Sequence, residues 1–217
     1  LFAPSLFHTR SFAVGIIGNL FARLGSGALP FLTPLLLQLA MGYSPAQAGM
    51  SLIPLALAAM AAKPLARPLI ERLGYRNILT SNTLLLGALI ASLALVDSDT
   101  STLQLIIQLS LIGACNSLQF TAMNTVTLID LDNRDASSGN SLLSVVVQLA
   151  MGLGVASAAA LLSGFSREMG GSEHVLQAFQ ATYLCVGLLS MLAAAIFLQL
   201  DAKDGRGGGN IEVSADE

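Results

Sequence analysis

Six long apolar runs, separated by short polar segments, dominate the chain. They cover about residues 11–41, 46–69, 78–96, 103–129, 141–165 and 176–200, and we number them as the first to sixth spans. A helix needs roughly 20 apolar residues to cross the hydrocarbon core of a bilayer, and every run has about that length or more. The pattern predicts an all-α integral membrane protein, with a six-helix bundle at 11–200 between a short segment at 1–10 and a disordered polar tail at 201–217.

Turn residues mark several helix boundaries. Residues 42–45 form a turn signal in which Ser44 is placed to cap a helix that begins at Pro45. The charged segment 71–76 is predicted to be a tight loop in which Gly74 provides a left-handed helix cap. Because the connections are short, successive spans must run antiparallel, and alternate connections share one side of the membrane.

Basic residues are distributed unevenly between the two sides. One side carries Arg10, Lys63, Arg67, Arg72, Arg76, Arg134, Lys203 and Arg206. The other side carries only Arg167, whereas Arg23 lies inside a span. Since basic loops tend to remain in the cytoplasm, both ends of the segment are predicted to be cytoplasmic.

The composition narrows the class of protein. Hydrophobic residues make up 54% of the chain and charged residues only 11%, against about a quarter charged in soluble domains. The net charge of −3 and the absence of basic clusters argue against a nucleic-acid partner. Cys115 and Cys185 both lie in apolar spans, and neither a disulfide nor a metal site is predicted.

One charged side chain interrupts the first span. Arg23 lies near mid-depth, and Asn19, Gly27, Pro30 and Pro34 continue its helical stripe at spacings of three and four residues. An ionisable residue at that depth is a functional-site candidate, so Asn19, Arg23, Gly27 and Pro30 are predicted to line a substrate cavity. Alternatively, Arg23 is a packing residue that pairs with helix carbonyls. As a permanent cation, Arg23 would attract an anionic substrate group or pair with a carboxylate elsewhere.

A second group of polar residues lies in the fourth span. Ser117, Thr121 and Asn124 share one helix face, with further polar residues on its flank. The residues of this span that are predicted to line the cavity are Asn116, Ser117, Gln119, Phe120 and Asn124. Hydrogen bonding between helices accounts for the same polar residues equally well.

The six spans contain no acidic residue and no histidine. Proton-coupled transport usually needs a titratable carboxylate within a span, so any proton-carrying group is expected outside this segment. Intramembrane serine proteases and metalloproteases need a histidine within the membrane. The chain is therefore predicted not to be an enzyme.

The connection between the second and third spans resembles a known signature. Residues 67–76 read Arg-Pro-Leu-Ile-Glu-Arg-Leu-Gly-Tyr-Arg. This stretch is similar to the repeated cytoplasmic motif of the major facilitator superfamily, with glutamate for the usual aspartate and with arginine and tyrosine replacing one glycine and one basic residue. The corresponding residues are Arg67, Glu71, Arg72, Gly74 and Arg76.

Further stretches extend the resemblance from residue 1 to about residue 200. Residues 1–12 and 136–156 resemble the first and fifth helices of the C-terminal six-helix half of a fourteen-helix drug:H+ antiporter. The resemblance implies two inverted three-helix repeats that form one half of a transporter, with six helices and two linking helices before residue 1. It also implies that the other half packs against Ser144, Gln148, Gly152 and Gly154.

The function implied by the resemblance is proton-coupled multidrug efflux by alternating access in a bacterial inner membrane. The energy source would be the proton gradient, without a cofactor. The expected partners are the lipid bilayer, the N-terminal half of the same chain and a small-molecule substrate. Two alternatives stay open, namely a non-transporting scaffold or assembly subunit derived from half a transporter, and a transporter for a small anionic metabolite.

Overall fold

The computed structural model describes residues 9–97, 99–131, 133–170 and 174–200. Most of the predicted N-terminal segment, the predicted tail at 201–217 and the side chain of Arg134 lie outside this part. The described helices are α1 (Arg10–Ser26), α2 (Leu29–Leu35), α3 (Pro45–Ser51), α4 (Ile53–Leu73), α5 (Tyr75–Ser92), α6 (Thr102–Leu128), α7 (Asn133–Glu168), α8 (Val175–Leu192) and α9 (Ala194–Phe197). No β-strand occurs among the described residues.

Six helical stretches are long and apolar enough to cross a membrane. They are Arg10–Ala40, Pro45–Leu73, Tyr75–Leu95, Thr102–Leu128, Asp135–Glu168 and Val175–Phe197. This finding confirms the predicted all-α fold with six spans, and the span numbers are kept. Several helices continue past the apolar runs of the sequence, because polar residues at the edge of a bilayer can remain helical.

The first span is a broken helix. Between α1 and α2, the amide of Gly27 still donates to the carbonyl of Arg23 at 2.8 Å, but the amide of Ala28 bonds a carbonyl only three residues back. Pro34 lies inside α2, where it has no N–H to donate. After it, Leu36–Ala40 winds as a π-helix. The span therefore has two irregular points, one on each side of α2.

Ser44 begins the second span with a capping box. Its hydroxyl accepts a hydrogen bond from the amide of Gln47 at 3.3 Å, and the side-chain oxygen of Gln47 accepts one from the amide of Ser44 at 2.9 Å. Pro45 occupies the first turn of α3. The predicted start at Pro45 is confirmed, and its physical reason is that the cap satisfies two amides that would otherwise be unpaired.

Gly74 alone separates the second span from the third. α4 ends at Leu73 and α5 begins at Tyr75, so residues 71–76 are helical on both sides of the glycine and do not form the predicted loop. Gly74 has φ +77° and ψ 159°, which is a positive-φ backbone but not the predicted left-handed helical one. Its amide donates to the carbonyl of Ile70 at 2.8 Å. One residue without a Cβ is enough to turn the chain.

The helices pack in a pattern that repeats within the bundle. The contact between α1 and α7 has its counterpart in the contact between α6 and α4. Likewise, the contact between α5 and α6 has its counterpart in the contact between α8 and α1. In addition, α1 contacts α6 and α5 contacts α8. Exchanging the first three spans with the last three maps each of the first four contacts onto its counterpart and each of the last two onto itself. This is the arrangement expected of two inverted three-helix repeats related by a two-fold axis.

The contact between α5 and α8 has the same symmetry at the residue scale. A Cβ on Gly87 would lie 2.8 Å from the carbonyl oxygen of Gly187 and 2.7 Å from Cγ of Met191. A Cβ on Gly187 would lie 2.7 Å from the carbonyl oxygen of Gly87 and 2.7 Å from Cβ of Ala91. The third and sixth spans thus cross where neither helix carries a side chain, as membrane helices do at close crossings.

The second and fifth spans are the least covered. Only 6% of the most apolar stretch of the second span and 17% of that of the fifth are buried, against 39% to 56% in the other four spans. Large apolar side chains remain exposed on both, among them Met60 on α4 and Leu149 on α7. Among the described residues, nothing covers these two apolar faces.

Candidate functional site

A buried arginine lies near the middle of the first span. Arg23 is only 6% exposed, and its Nε donates to Oδ1 of Asn19 at 3.0 Å. The two residues are one helical turn apart on α1, so the helix itself brings them together. Asn19 is completely buried. The amide therefore fixes one edge of the guanidinium inside the bundle.

Asn19 is in turn held by the fourth span. Its Nδ2 donates to the carbonyl of Gly15 at 3.0 Å and to Oγ1 of Thr127 at 3.4 Å. The hydroxyl of Thr127 donates to the carbonyl of Met123 at 2.6 Å, so its orientation on α6 is also fixed. A side chain at position 15 would collide with Thr127, so the glycine permits this close approach of the two helices. A continuous chain of hydrogen bonds leads from α6 to Arg23.

An aromatic ring covers one face of the guanidinium. Cζ of Arg23 lies 4.4 Å from the centre of the Phe120 ring, which is a cation–π distance. The ring is 46% exposed, so its other side remains accessible. Nη2 of Arg23 is buried and has no hydrogen-bond partner among the described residues. We call Asn19, Arg23, Phe120 and Thr127 the Arg23 cluster.

No described carboxylate pairs with Arg23. The ion pair that the structure contains on α4 joins Nε of Arg67 to Oε1 of Glu71 at 2.9 Å, on a helix surface where the two side chains are 90% and 63% exposed. Such a pair contributes at most about 1 kcal/mol. Arg72 and Arg76, which belong to the same signature, are likewise exposed. The signature residues thus lie on the surface around Gly74, apart from the Arg23 cluster.

The remaining predicted cavity residues have different surroundings. Gly27 is buried, and a Cβ there would lie 3.0 Å from Cα of Met151 on α7, whereas Pro30 is exposed. On α6, Asn116, Ser117 and Asn124 are all half-buried. Asn124 follows Phe120 by one turn, and its Oδ1 has no hydrogen-bond partner among the described residues. By its spacing, Asn124 lies on the same face of α6 as Phe120.

Gln119 lies on another face of α6. Its Nε2 donates to Oγ1 of Thr83 at 2.6 Å, and its Oε1 accepts a hydrogen bond from Nδ2 of Asn82 at 2.7 Å. The same Nδ2 donates to the carbonyl of Cys115 at 2.9 Å. This polar group joins the fourth span to the third, and the structure does not bring Gln119 to Arg23. Cys115 and Cys185 are both free thiols.

Sequence reasoning did not identify Asn82, Thr83 or Thr127. The signal for the first two is the polar run 81–83 near the start of an apolar span. The signal for Thr127 is its spacing, since it follows Phe120 by seven residues and therefore lies on the same face of α6. Among the described residues, no group of three or more histidine, cysteine or acidic side chains is placed to hold a metal ion.

Three of the four residues predicted to pack against another half lie on the surface of α7. Ser144, Gln148 and Gly152 are exposed, and the space around Gly152 is open to at least 4 Å. Gly154 is different, because a Cβ there would lie 2.6 Å from the carbonyl oxygen of Leu24. Gly154 therefore packs α7 against α1 within the described bundle.

Known proteins resemble this chain over most of its length. It is 42% identical over 207 residues to the "Putative multidrug resistance protein MdtD" of Yersinia enterocolitica serotype O:8 / biotype 1B (strain NCTC 13174 / 8081), which covers 94% of this chain and 44% of that protein. Proteins of the same name from Serratia proteamaculans (strain 568) and Pectobacterium carotovorum subsp. carotovorum (strain PC1) are each 43% identical over 204 residues, covering 93% of this chain and 43% and 44% of those proteins. The chain thus spans less than half the length of these relatives.

The family assignment rests on the sequence as well as the fold. The sequence model of the Major Facilitator Superfamily matches residues 14–212. The match includes all six spans except the first few residues of α1. With its six membrane spans packed as two related groups of three, the chain belongs to the Major Facilitator Superfamily.

Proposed function

We propose that this chain forms one half of a secondary active transporter that exports small amphipathic molecules across a bacterial inner membrane. The observation that carries the proposal is the Arg23 cluster, in which a buried cation with a donor unpaired among the described residues lies near the middle of a broken span. Burying such a charge is expensive and calls for a functional reason. The naming of similar proteins as multidrug resistance proteins supports efflux.

In this proposal the substrate cavity lies between the first and fourth spans. Asn19, Arg23, Gly27 and Pro30 contribute from the first span, and Asn116, Ser117, Phe120 and Asn124 from the fourth. The breaks beside α2 support a cavity here, because irregular backbone at membrane depth occurs where it is buried in protein or lines a cavity. Gln119 then stabilises the position of the fourth span through its hydrogen bonds to the third span, on a face of α6 that does not line the cavity.

The other half of the transporter covers α4 and α7. The apolar faces of these helices support this arrangement, since they are the least buried of the six spans. Ser144, Gln148 and Gly152 would lie in that contact, and alternating access would consist of a rocking of the two halves about the cavity. The carboxylate that carries protons would belong to the other half, because the described spans have acidic residues only near their ends.

In this proposal the signature residues around Gly74 help to open and close the transporter at its cytoplasmic surface. The exposed Arg67–Glu71 pair and the nearby Arg72 and Arg76 are available to contact the other half there. Their exposure supports contacts that form and break as the two halves move, since exposed ion pairs are weak.

The test is substrate-driven proton exchange by the full-length protein in proteoliposomes. Arg23→Ala should reduce exchange about tenfold or more, in line with the loss of hydrogen bonds to a charged group. Arg167→Ala, at an exposed position near the end of α7, should leave it unchanged. Full exchange by an inserted Arg23→Ala protein would contradict the cavity role and favour packing. No exchange by the unmodified protein with any substrate would contradict transport.

A further inference from the structure

We propose that the Arg23 cluster binds a carboxylate group and thereby favours anionic over cationic substrates. The proposal rests on the transport function proposed above and names the chemistry of its site. A fixed positive charge at the site would repel cationic substrates.

The first argument is the uncompensated charge. Arg23 is only 6% exposed, and none of the described acidic residues pairs with it. A guanidinium remains charged at any pH at which proteins function. Buried charges in proteins are normally paired, so the state in which Arg23 has an anionic partner is the more stable one. A second cation at the same site would add repulsion in surroundings that screen it poorly.

The second argument is the arrangement of donors. Asn19 holds Nε at 3.0 Å and is itself held by Thr127, so the plane of the guanidinium is fixed before any ligand arrives. Nη2 is buried and has no partner in the part of the chain that the structure describes. The planar fork of arginine matches the two oxygens of a carboxylate, and a pre-oriented donor loses little entropy on binding.

The third argument concerns Phe120 and Asn124. One face of the Phe120 ring already contacts a cation, and the exposed remainder of the ring offers an apolar surface for the body of a ligand. Asn124 lies one turn from Phe120, and its buried Oδ1 has no partner within the described ranges. The two ends of an amide can exchange places by rotation, which would present its N–H donors to an anion. A ligand with an aromatic or aliphatic body and a terminal carboxylate fits these groups.

The carboxylate has two possible sources, a substrate or another part of the full-length protein. A pair of probes of similar shape distinguishes charge from hydrophobicity, namely 4-phenylbutyrate and 3-phenylpropyltrimethylammonium. Transport of each by the full-length protein in proteoliposomes gives KM and kcat. Equilibrium dialysis of labelled 4-phenylbutyrate against the solubilised protein measures the site independently of transport.

The unmodified protein should have a KM for the carboxylate probe about tenfold or more below that for the cationic probe, as expected of a charged hydrogen bond. Arg23→Gln should raise the KM and Kd for 4-phenylbutyrate by about the same factor and leave the cationic probe unaffected or improved. Arg167→Gln, the same change at an exposed arginine, should alter neither value.

A second variant keeps the proposal testable if Arg23→Gln does not insert into the membrane. Asn19→Asp places a carboxylate where the amide accepts from Nε, so the charge of Arg23 is neutralised from within the chain. This variant retains the guanidinium and should also lose the preference for 4-phenylbutyrate. Retention of the preference would overturn the proposal.

The remaining outcomes are equally decisive. If Arg23→Gln slows both probes equally and neutralising one membrane carboxylate elsewhere in the protein restores transport, the carboxylate is the protein's own, and the proposed preference for anionic substrates is overturned. If both probes are transported and Arg23→Gln changes neither more than Arg167→Gln does, the proposal is wrong while transport is upheld. If no probe is transported but 4-phenylbutyrate binds in an Arg23-dependent manner, the site stands and the proposed transport fails.

Discussion

Asn19 is the side chain on which the orientation of the buried Arg23 guanidinium depends. Asn19→Ala would leave Nε of Arg23 without its acceptor in a buried position, as well as removing the donor to Thr127. We expect a loss of about 2–3 kcal/mol of stability, the usual cost of leaving a buried charged donor unpaired. The measurement is the midpoint of SDS-induced unfolding of the purified protein in mixed micelles.

Asn140 on α7 provides the control for this prediction. It is exposed, so Asn140→Ala removes an amide of the same size without uncovering a buried charge. The midpoint should then shift little. Equal shifts for the two variants would mean that the hydrogen bond between Asn19 and Arg23 contributes nothing measurable.

At the residue scale, helical periodicity in the sequence indicates faces but not neighbours. The spacing of Asn19 and Arg23 placed them on one stripe, and because they belong to a single helix their hydrogen bond follows from that spacing. Gln119 and Phe120 are adjacent in the sequence, yet one bonds the third span and the other contacts Arg23. Which helix faces each side of α6 depends on tertiary packing, which periodicity does not contain.

At the scale of the helices, Gly74 is a position where backbone conformation alone determines the effect of a substitution. Its φ is +77°, and a Cβ would meet no described residue within 4 Å. Gly74→Ala should therefore destabilise the protein by about 1 kcal/mol or more through backbone strain. Gly49 on α3 also has open space but no positive φ, so Gly49→Ala should be neutral or stabilising. The unfolding midpoints of the two variants test this difference, and a shared shift would refute it.

Gly87 shows the opposite case, in which space alone determines the effect. A Cβ on Gly87 would lie 2.8 Å from a backbone oxygen of α8, so Gly87→Ala should separate the third and sixth spans and cost about 1–3 kcal/mol, as overpacking does. Gly164→Ala on α7 introduces the same methyl group where nothing lies within 4 Å. Comparable unfolding midpoints for these two variants would show that the crossing relaxes freely.

The sequence predicts the presence of each helix better than it predicts the residues at which the helix begins and ends. Hydropathy locates the apolar part of each span, but α7 extends from Asn133 to Glu168, beyond the apolar run 141–165. The difference arises because the helical hydrogen-bond pattern does not stop where the side chains become polar. Ser44 is the exception, since a capping side chain specifies the first turn directly.

For the whole molecule, the distribution of basic residues predicts that both ends of the segment are cytoplasmic. A cysteine at Asp99, in the connection between the third and fourth spans, should react with a membrane-impermeant maleimide in intact cells. A cysteine at Asn77, exposed near the start of α5, should react only after permeabilisation. Both variants need Cys115 and Cys185 replaced by alanine. The reverse pattern of labelling would invert the orientation.

The sequence does not distinguish the covered helices from the uncovered ones. All six spans have similar mean hydropathy, yet the second and fifth are far less buried than the others. Hydropathy does not distinguish lipid from protein as the surroundings of an apolar side chain, because lipid tails are as apolar as leucine. The uncovered faces of α4 and α7 therefore became visible only once the helices were packed.

The crossing of Gly87 and Gly187 is an isologous contact, of the kind that joins two copies of a protein in a homodimer. A Cβ on Gly87 would meet Gly187 and Met191, which lies four positions after Gly187. A Cβ on Gly187 would meet Gly87 and Ala91, which lies four positions after Gly87. In a homodimer one mutation changes both sides of such a contact, but within a single chain the two sides can change independently. Positions 91 and 191 are an alanine and a methionine, whereas positions 87 and 187 are both glycine. The two sides of the contact thus differ beside the point of crossing and are alike at the point itself.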